Sequence, residues 1–112
     1  MSGFSEWSSE TVLQRFLNKS SGLVKAPRFR DAVLYWIDRR VSINNQNNEG
    51  KTALHLAVEN DLVDDEYVDL LLQAGHDPKI RDNGGLTAMD YIKSMPEIRK
   101  NKLKAVFSKH GL

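Results

Sequence analysis

His55 is the residue best suited by type to catalysis or to metal binding. It lies between two leucines in the stretch GKTALHLAVEN, residues 50–60. A general base or a metal ligand needs a converging carboxylate, nucleophile or second ligand, and the neighbouring sequence supplies none. His76 and His110 also have no partners close in sequence, which predicts that both are solvated. We therefore predict that His55 belongs to the scaffold and that the chain has no catalytic residue.

The acidic run DLVDDE, residues 61–66, is a candidate calcium site because calcium prefers carboxylate oxygens. The run lacks the alternating ligand spacing and the central glycine of a calcium loop. Asp64 fits better as the cap of a helix whose positive end Asp65 and Glu66 would stabilise. The glycines of RDNGGL, residues 81–86, are not followed by the Gly-Lys-Ser/Thr of a phosphate loop. These patterns predict no metal, no cofactor, no small-molecule substrate and no enzyme activity.

Composition limits the remaining classes of protein. The chain has 112 residues, of which 40% are hydrophobic, and this predicts one domain with a modest core. The absence of cysteine excludes disulfides, thiolate catalysis and cysteine-ligated metals. No apolar run approaches the ~20 residues that span a bilayer, and the N-terminus MSGFSEWSSE has no basic residue before an apolar core. We expect a soluble intracellular protein of the cytoplasm, the nucleus or both, or a domain of a longer one.

Charge is distributed unevenly along the chain. Residues 47–77 contain eight carboxylate side chains and one lysine, whereas residues 93–112 contain six basic side chains and one glutamate. The middle is therefore acidic and the end basic, although the formal net charge of the whole chain is only +1.

The sequence repeats when it is shifted by 35 residues. This shift places Gly50 on Gly85, and the threonines and alanines that follow the two glycines align as well. The apolar spacing of VDLLL at 68–72 recurs in VLYWI at 33–37 and in LKAVF at 103–107. A repeat of this length indicates units that bury their apolar faces only against one another.

In the middle unit the pattern predicts two helices. Residues 52–59 are apolar on almost all sides, which favours a short helix packed between neighbours. Residues 65–73 place three apolar side chains, Leu71 among them, at helical spacing, and Gly75 is suited to the left-handed position that ends a helix. The following segment, HDPKIRDNGG at 76–85, is typical of a tight hairpin-like turn.

These features make the chain resemble an ankyrin repeat protein. The family's repeat has a polar turn with glycine, a Thr-Pro-Leu-His helix start, a second helix ending in paired leucines, and a Gly-Ala-Asp-like stop. NNEGKTALHLAVEN and YVDLLLQAGHDPKIRDNGG match this pattern throughout, and GLTAMDYI and VLYWIDRRVSINNQN match it in part. The resemblance implies an all-α solenoid of helix-turn-helix repeats joined by β-hairpin-like turns. It would form a single domain, residues 1–112, with units at about 8–46, 47–81 and 82–112.

Several positions depart from the family's pattern. Alanine replaces its proline at two helix starts, Arg40 stands where glycine should stop the first unit, and Asp90 stands where histidine should be. Residues 1–30 fit least, with EWSSETVLQRFL as the leading helix of the first unit and SSGLVKAP as a long link. Phe4 and Trp7 lie outside any repeat position, and they could cover the first unit or bind a partner.

The resemblance implies protein–protein recognition without catalysis, and it implies that His55 bonds an adjoining hairpin and ties one repeat to the next. In ankyrin proteins the partner typically meets the hairpin tips and the exposed face of the leading helices. These positions are mostly polar and free of obvious packing roles, but Leu86 is apolar where solvent would be expected. The residues implied to bind the partner are Gln46, Asn48, Glu49, Lys51, Glu59, Asn60, Arg81, Asn83, Leu86 and Ser94.

Two other functions stay open on the sequence alone. One is a regulatory or self-associating domain of a larger protein, with a homo-oligomer as a possible form. The other is the binding of nucleic acid or another acidic surface through the basic C-terminal helix. The apolar stripe of that helix is predicted to be Ile98, Leu103, Val106 and Phe107. Arg99 and the lysines then spread over the outward arc, which favours a solvated cap over a nucleic-acid site.

Overall fold

The protein is described by a computed structural model that covers residues 11–40 and 43–112. Phe4 and Trp7 lie outside these described residues, so their role stays a prediction. The described part contains helices α1 (Val12–Leu17), α2 (Phe29–Asp38), α3 (Ala53–Glu59), α4 (Asp65–Gln73), α5 (Ala88–Ile92) and α6 (Glu97–Lys109). Two single-turn 3₁₀ helices, Lys19–Ser21 and Leu23–Lys25, link α1 to α2. Because the described residues form no strand, the predicted all-α class is confirmed.

The first helix of each pair begins at a threonine. The side chains of Thr11, Thr52 and Thr87 each accept a hydrogen bond from the backbone N–H of the residue three positions later. The side chain of that later residue in turn accepts a hydrogen bond from the backbone N–H of the threonine. This reciprocal capping box satisfies two N–H groups that a helix start would otherwise leave unpaired. The same start therefore opens three helix-turn-helix units, which are α1–α2, α3–α4 and α5–α6.

The leading helices α1, α3 and α5 form one layer, and the second helices pack beside them. α3 packs against α1 on one side and α5 on the other, while α6 packs against α4 and α5. Residues 53–58 of α3 are all buried, which explains why this helix is apolar on almost every side. Leu71 of α4 is also fully buried, so the predicted register of the middle unit is confirmed.

Left-handed residues follow all three second helices, and after α6 this residue is Gly111, with a φ of 80°. Gly75 follows α4 with a φ of 100°, as the sequence predicts. Arg40 takes the same kind of conformation after α2, with a φ of 58°, so the turn is kept although glycine is absent. A side chain in this region costs about 1–2 kcal/mol, a cost that the glycine avoids.

The first turn of α6 differs from the predicted stripe. Leu103, Val106 and Phe107 are buried as expected, but Ile98 is 76% exposed. Pro96 occupies the cap position, and the helix itself begins at Glu97. The inward place that the pattern assigned to isoleucine is taken by its neighbour, Arg99.

The prediction that Arg99 lies on the outward arc is wrong. Its Nη1 donates to the Val63 carbonyl at 2.7 Å, and its Nη2 donates to the Asn60 carbonyl at 2.9 Å. The same Nη2 reaches the carbonyls of Ala57 and Val58 at 3.1 and 3.2 Å. Carbonyls at the end of a helix have no partner within the helix, so the planar guanidinium satisfies the end of α3 from the next unit.

His76 and His110 are not solvated as predicted. His76 is 3% exposed, and its Nδ1 donates to the Leu71 carbonyl at 3.0 Å. Burial lowers the pKa of His76, which favours the neutral ring. His110 Nε2 lies 2.5 Å from an oxygen of Asp69, so this histidine ties the end of α6 to α4.

Candidate functional site

Two hairpin-like turns of the same shape precede α3 and α5. Asn47 Oδ1 accepts from the backbone N–H groups two and four residues later, at 2.9 and 3.0 Å. Asp82 makes the same pair of bonds, both at 2.9 Å. A backbone hydrogen bond closes each turn. The Asn47 N–H donates to the Lys51 carbonyl at 2.9 Å, and the Asp82 N–H donates to the Leu86 carbonyl at 2.8 Å. The side chain at the start of each turn therefore sets the position of its tip.

The two turns are also hydrogen-bonded to each other. The backbone N–H of Asn83 donates to the Glu49 carbonyl at 3.0 Å, and the Asn83 side chain donates to the Asn48 carbonyl at 2.9 Å. Gln46 Nε2 donates to the Arg81 carbonyl at 2.9 Å. These bonds bring five of the residues implied to bind a partner to one edge of the molecule.

His55 joins α3 to the turn that follows in the next unit. Its Nδ1 accepts from the Thr52 N–H at 3.1 Å, so Nε2 carries the proton and donates to the Leu86 carbonyl at 2.9 Å. The residue is 1% exposed. The predicted hydrogen bond from His55 to an adjoining hairpin is confirmed, and the same bond fixes the backbone that carries Leu86.

A cleft of about 300 Å³ lies between α3, α5 and the start of α6. We call it the leading-helix cleft; it is lined by Glu59, Asp61, Leu86, Asp90, Tyr91, Ser94, Met95 and Pro96. Leu86 is 46% exposed, so a large apolar side chain meets solvent beside the cleft's carboxylates. Such a pairing of apolar and charged groups suits the binding of a partner's side chain.

Tyr91 closes one side of this cleft. Its hydroxyl donates a hydrogen bond to the carboxylate of Asp82. Burial, and then this bond, raise the pKa of the Tyr91 hydroxyl far above its usual value of 10. The phenol therefore remains a proton donor at neutral pH, and it links the wall of the cleft to the base of the second turn.

Two of the cleft's carboxylates are already paired within the chain. Glu59 receives both of its hydrogen bonds from Lys51 Nζ, at 3.0 and 3.1 Å. Asp90 accepts from the Thr87 N–H at 3.0 Å and lies 3.2 Å from Lys93 Nζ, and the bond from Thr87 lowers the pKa of Asp90. Because the lysine partner of Asp90 is 79% exposed, that ion pair is open to exchange with a partner's cation.

The described part of the chain comprises residues 11–40 and 43–112. In that part of the chain, no group of three or more His, Asp and Glu side chains is placed to hold a metal ion. No helix there is long and apolar enough to cross a bilayer.

Comparison with known proteins gives the family. A family model described as "Ankyrin repeats (3 copies)" matches residues 10–94. The chain belongs to the ankyrin repeat family. Transcription factor MBP1 of Kluyveromyces lactis is 35% identical over 106 residues, a match that covers 84% of this chain. The chain spans 14% of the length of that curated relative. Ankyrin repeats generally mediate protein–protein interaction and are typically non-catalytic.

In this ankyrin fold the residues implied to bind a partner have different surroundings. Glu59, Leu86 and Ser94 line the leading-helix cleft. Gln46, Asn48, Glu49, Arg81 and Asn83 lie at the bonded edge of the two turns. The expectation that these positions are free of packing roles is wrong for several of them. Gln46 and Asn83 hold neighbouring turns together, and Lys51, whose side chain is 17% exposed, is bonded to Glu59.

Asn60 departs furthest from the expectation. It is 2% exposed, and its Nδ2 donates to the Leu17 carbonyl at the end of α1 at 3.0 Å. A buried amide that bridges two repeats cannot also meet a partner. The ankyrin turn after α3 therefore uses Asn60 as a tie between units.

Sequence reasoning missed several residues of the cleft. Asp61, Tyr91, Met95 and Pro96 line it without belonging to a recognisable motif. Asp90 carried a usable signal, because Thr87 and Asp90 have the same three-residue spacing as Thr52 and His55. That spacing places the Asp90 side chain at the first turn of α5.

Proposed function

We propose that the chain is a non-catalytic protein-recognition module. It binds a partner protein through one surface, formed by the tips of the two turns and by the leading-helix cleft. The observation that carries this proposal is Leu86, which is 46% exposed while its own backbone carbonyl is fixed by His55. An apolar side chain held in place at the rim of a cleft loses no backbone freedom on binding, which favours affinity.

The polar residues of this surface divide into two groups. One group holds neighbouring repeats together, because the side-chain amides of Gln46, Asn60 and Asn83 donate hydrogen bonds to carbonyls of an adjacent repeat. Contact with the partner then falls to side chains such as Leu86 and Ser94, which are exposed. Binding energy concentrates in a few well-placed residues of an interface, and Leu86 is placed to be one of them.

Charge indicates the chemistry of the partner. The cleft contains the carboxylates of Glu59, Asp61 and Asp90, and the surrounding segment 47–77 is strongly acidic. A partner segment that places an apolar side chain against Leu86 and a lysine or arginine near Asp61 would match both features. The binding should weaken as salt screens the charges.

The proposal is tested by capture of cell proteins on the full-length gene product, followed by quantitative mass spectrometry. Leu86→Arg should remove a specific set of captured proteins, because it places a cation and extra bulk at the rim of the cleft. Ile98→Arg is the matched control, since Ile98 is 76% exposed and lies outside the cleft. Equal loss with both variants, or loss with Ile98→Arg alone, would show that the recognition surface lies elsewhere.

We also propose that the module works within a larger protein of the nucleus. The relative at 35% identity is a transcription factor, and the chain spans only 14% of its length. A product longer than 112 residues that carries this domain, detected in nuclear extracts by an antibody against the domain, is the expected result. A product of this length found only in the cytosol would contradict the proposal.

A further inference from the structure

A second groove lies between α5 and α6 of the third unit. It has a volume of about 280 Å³, and its floor is formed by Met89 and Ile92 of α5, Phe107 of α6 and Leu112. Lys93 and Lys104 also line it. We call it the end groove.

The end groove is an apolar strip on the third unit. α5 and α6 bury their inner sides against α3 and α4, and the groove lies between these two helices. Within this concave strip, Leu112 is 40% exposed and Met89 is half-buried.

The charges around the strip have one sign. Lys93 and Lys104 are both exposed, and residues 93–112 carry six basic side chains against one carboxylate. Lys93 pairs with Asp90 at 3.2 Å, but its side chain is 79% exposed, so that contact exchanges readily with another carboxylate. Within the described residues, Lys104 forms no ion pair.

We propose that the end groove binds an acidic amphipathic segment of another protein. Large apolar side chains of that segment pack on Met89, Ile92 and Leu112, and its carboxylates pair with Lys93 and Lys104. The combination of an apolar floor and a basic rim requires both properties in the ligand, because charge selects the partner and apolar burial supplies affinity.

Two other occupants fit these features less well. A nucleic-acid backbone would pair with the lysines but would leave the apolar floor unused. A second copy of this chain could offer its own acidic turn, where Leu62 is 62% exposed, but such a contact joins two different surfaces and builds rings or filaments rather than a closed dimer. The acidic segment of a different protein uses the whole groove.

The test uses the 112-residue chain and two synthetic peptides that share the same leucine and phenylalanine positions at helical spacing. One peptide carries glutamates at its polar positions, and the other carries glutamines. In a titration followed by amide NMR shifts at low salt, the glutamate peptide should shift signals of residues 89–93 and 104–112. It should bind about tenfold tighter than the glutamine peptide, and the difference should shrink when salt rises to about 0.15 M.

Matched variants locate the contact. Lys104→Glu should weaken the glutamate peptide by about tenfold, whereas Lys102→Glu, exposed on the same helix but outside the groove, should change the affinity less than about twofold. Ser108→Trp should fill the groove and block binding, while Ala105→Trp, on an exposed position outside it, should not. All four positions are exposed, so each variant is expected to fold.

Several results would overturn the proposal. They are equal affinity for the two peptides, no shift in residues 89–93 and 104–112 at millimolar peptide, and equal effects of Lys102→Glu and Lys104→Glu. The last result would indicate diffuse attraction of the kind expected for nucleic acid. Concentration-dependent shifts of the same residues without peptide would identify a second copy as the occupant. None of these outcomes depends on Leu86, so they leave the proposed function separately testable.

Discussion

The joint between the first and second units and the joint between the second and third use different residues at equivalent places. At the turn end, Gln14 Nε2 donates to the Lys51 carbonyl at 3.0 Å in the first joint. In the second joint His55 Nε2 donates to the Leu86 carbonyl at 2.9 Å. Lys51 and Leu86 are one repeat apart, and both donors follow the capping threonine by three residues. Both repeats therefore place a hydrogen-bond donor at this position. The residue type can differ, because the side chain needs only to reach the carbonyl of the next turn.

The other end of the two joints differs more. In the first joint, Asn60 donates one hydrogen bond to the Leu17 carbonyl at the end of α1. In the second, Arg99 donates to four carbonyls at and after the end of α3. A helix end leaves several carbonyls unpaired, and a guanidinium can satisfy more of them than an amide. The second joint is therefore the more strongly tied of the two.

The largest expected difference in unfolding free energy is between equivalent substitutions in the two turns. Gly50 and Gly85 are equivalent and have φ values of 78° and 82°. A Cβ at Gly50 would lie 2.4 Å from Asn83 Oδ1 and 2.6 Å from its backbone nitrogen, whereas at Gly85 nothing lies within 4 Å. We predict that Gly50→Ala costs about 2–5 kcal/mol of unfolding free energy and Gly85→Ala about 1–2 kcal/mol. Urea denaturation measures both, and equal losses would mean that the contact between the turns is not made in solution.

The helix ends give the next contrast. Arg99→Met should cost about 2–3 kcal/mol, because it leaves several partly buried carbonyls without a donor, and Asn60→Ala should cost about 1–2 kcal/mol. Lys102→Met, at an exposed position of the same helix, is the control and should change stability by less than about 0.5 kcal/mol. If Asn60→Ala proved more costly than Arg99→Met in thermal or urea unfolding, the ranking of the two joints would be reversed.

Exchange of the donors at the turn ends tests whether position matters more than residue type. His55→Ala should cost about 1–2 kcal/mol, because it unpairs the Leu86 carbonyl and the Thr52 N–H. His55→Gln should cost less than about 1 kcal/mol, because the amide of Gln14 makes the equivalent pair of hydrogen bonds, to the threonine N–H and to the carbonyl of the next turn. Comparison of the two variants by differential scanning calorimetry decides the point, and an equal loss would argue that the imidazole itself is required.

The contact between the second helices α4 and α6 gives the smallest expected effect on stability. Hydrogen bonds from Lys109, and then from His110, hold the pKa of Asp69 at about 2, below its usual 3.8. A carboxyl group whose pKa is lower in the folded than in the unfolded state stabilises the fold at pH values above the unfolded-state pKa. This contribution is lost as the pH falls from about 4 to about 2. Asp69→Asn should therefore be less stable than the wild type by up to ~1 kcal/mol at neutral pH, a value limited by solvent screening. The gap should close near pH 2, and a gap that widens on acidification would contradict this assignment.

The first joint offers a control for that measurement. Arg30 and Glu66 link α2 to α4 through two hydrogen bonds of 3.1 and 3.2 Å, but both side chains are more than half exposed. Glu66→Gln should therefore show a weaker dependence on pH than Asp69→Asn.

Local pattern was enough to predict the helices but not the ties between them. α3 and α4 begin and end within one residue of the prediction, because threonine and aspartate precede them and the apolar residues follow helical spacing. Arg99, His110 and Asn60 were misjudged because their partners lie about 40 residues away in sequence. Gln14 was recoverable, since Thr11 and Gln14 repeat the spacing of Thr52 and His55.

The candidate site was predictable to a similar degree. The repeat pattern located the turns and singled out Leu86, which is 46% exposed in the structure. It could not separate residues that hold the surface from residues free to contact a partner. That distinction depends on the shape of the turns, which bring Asn83 against Glu49 and Gln46 against Arg81.

The most direct test of the account is site-specific photo-crosslinking in cells. A photoreactive phenylalanine derivative placed at position 86 of the full-length gene product should cross-link to a partner protein, because Leu86 is exposed at the leading-helix cleft. Position 98 is more accessible than position 86 but lies outside the cleft, so the same group placed there should give no cross-link to that partner. Cross-links from position 98 alone, or equally from both positions, would contradict the placement of the recognition surface at the turns and leading helices.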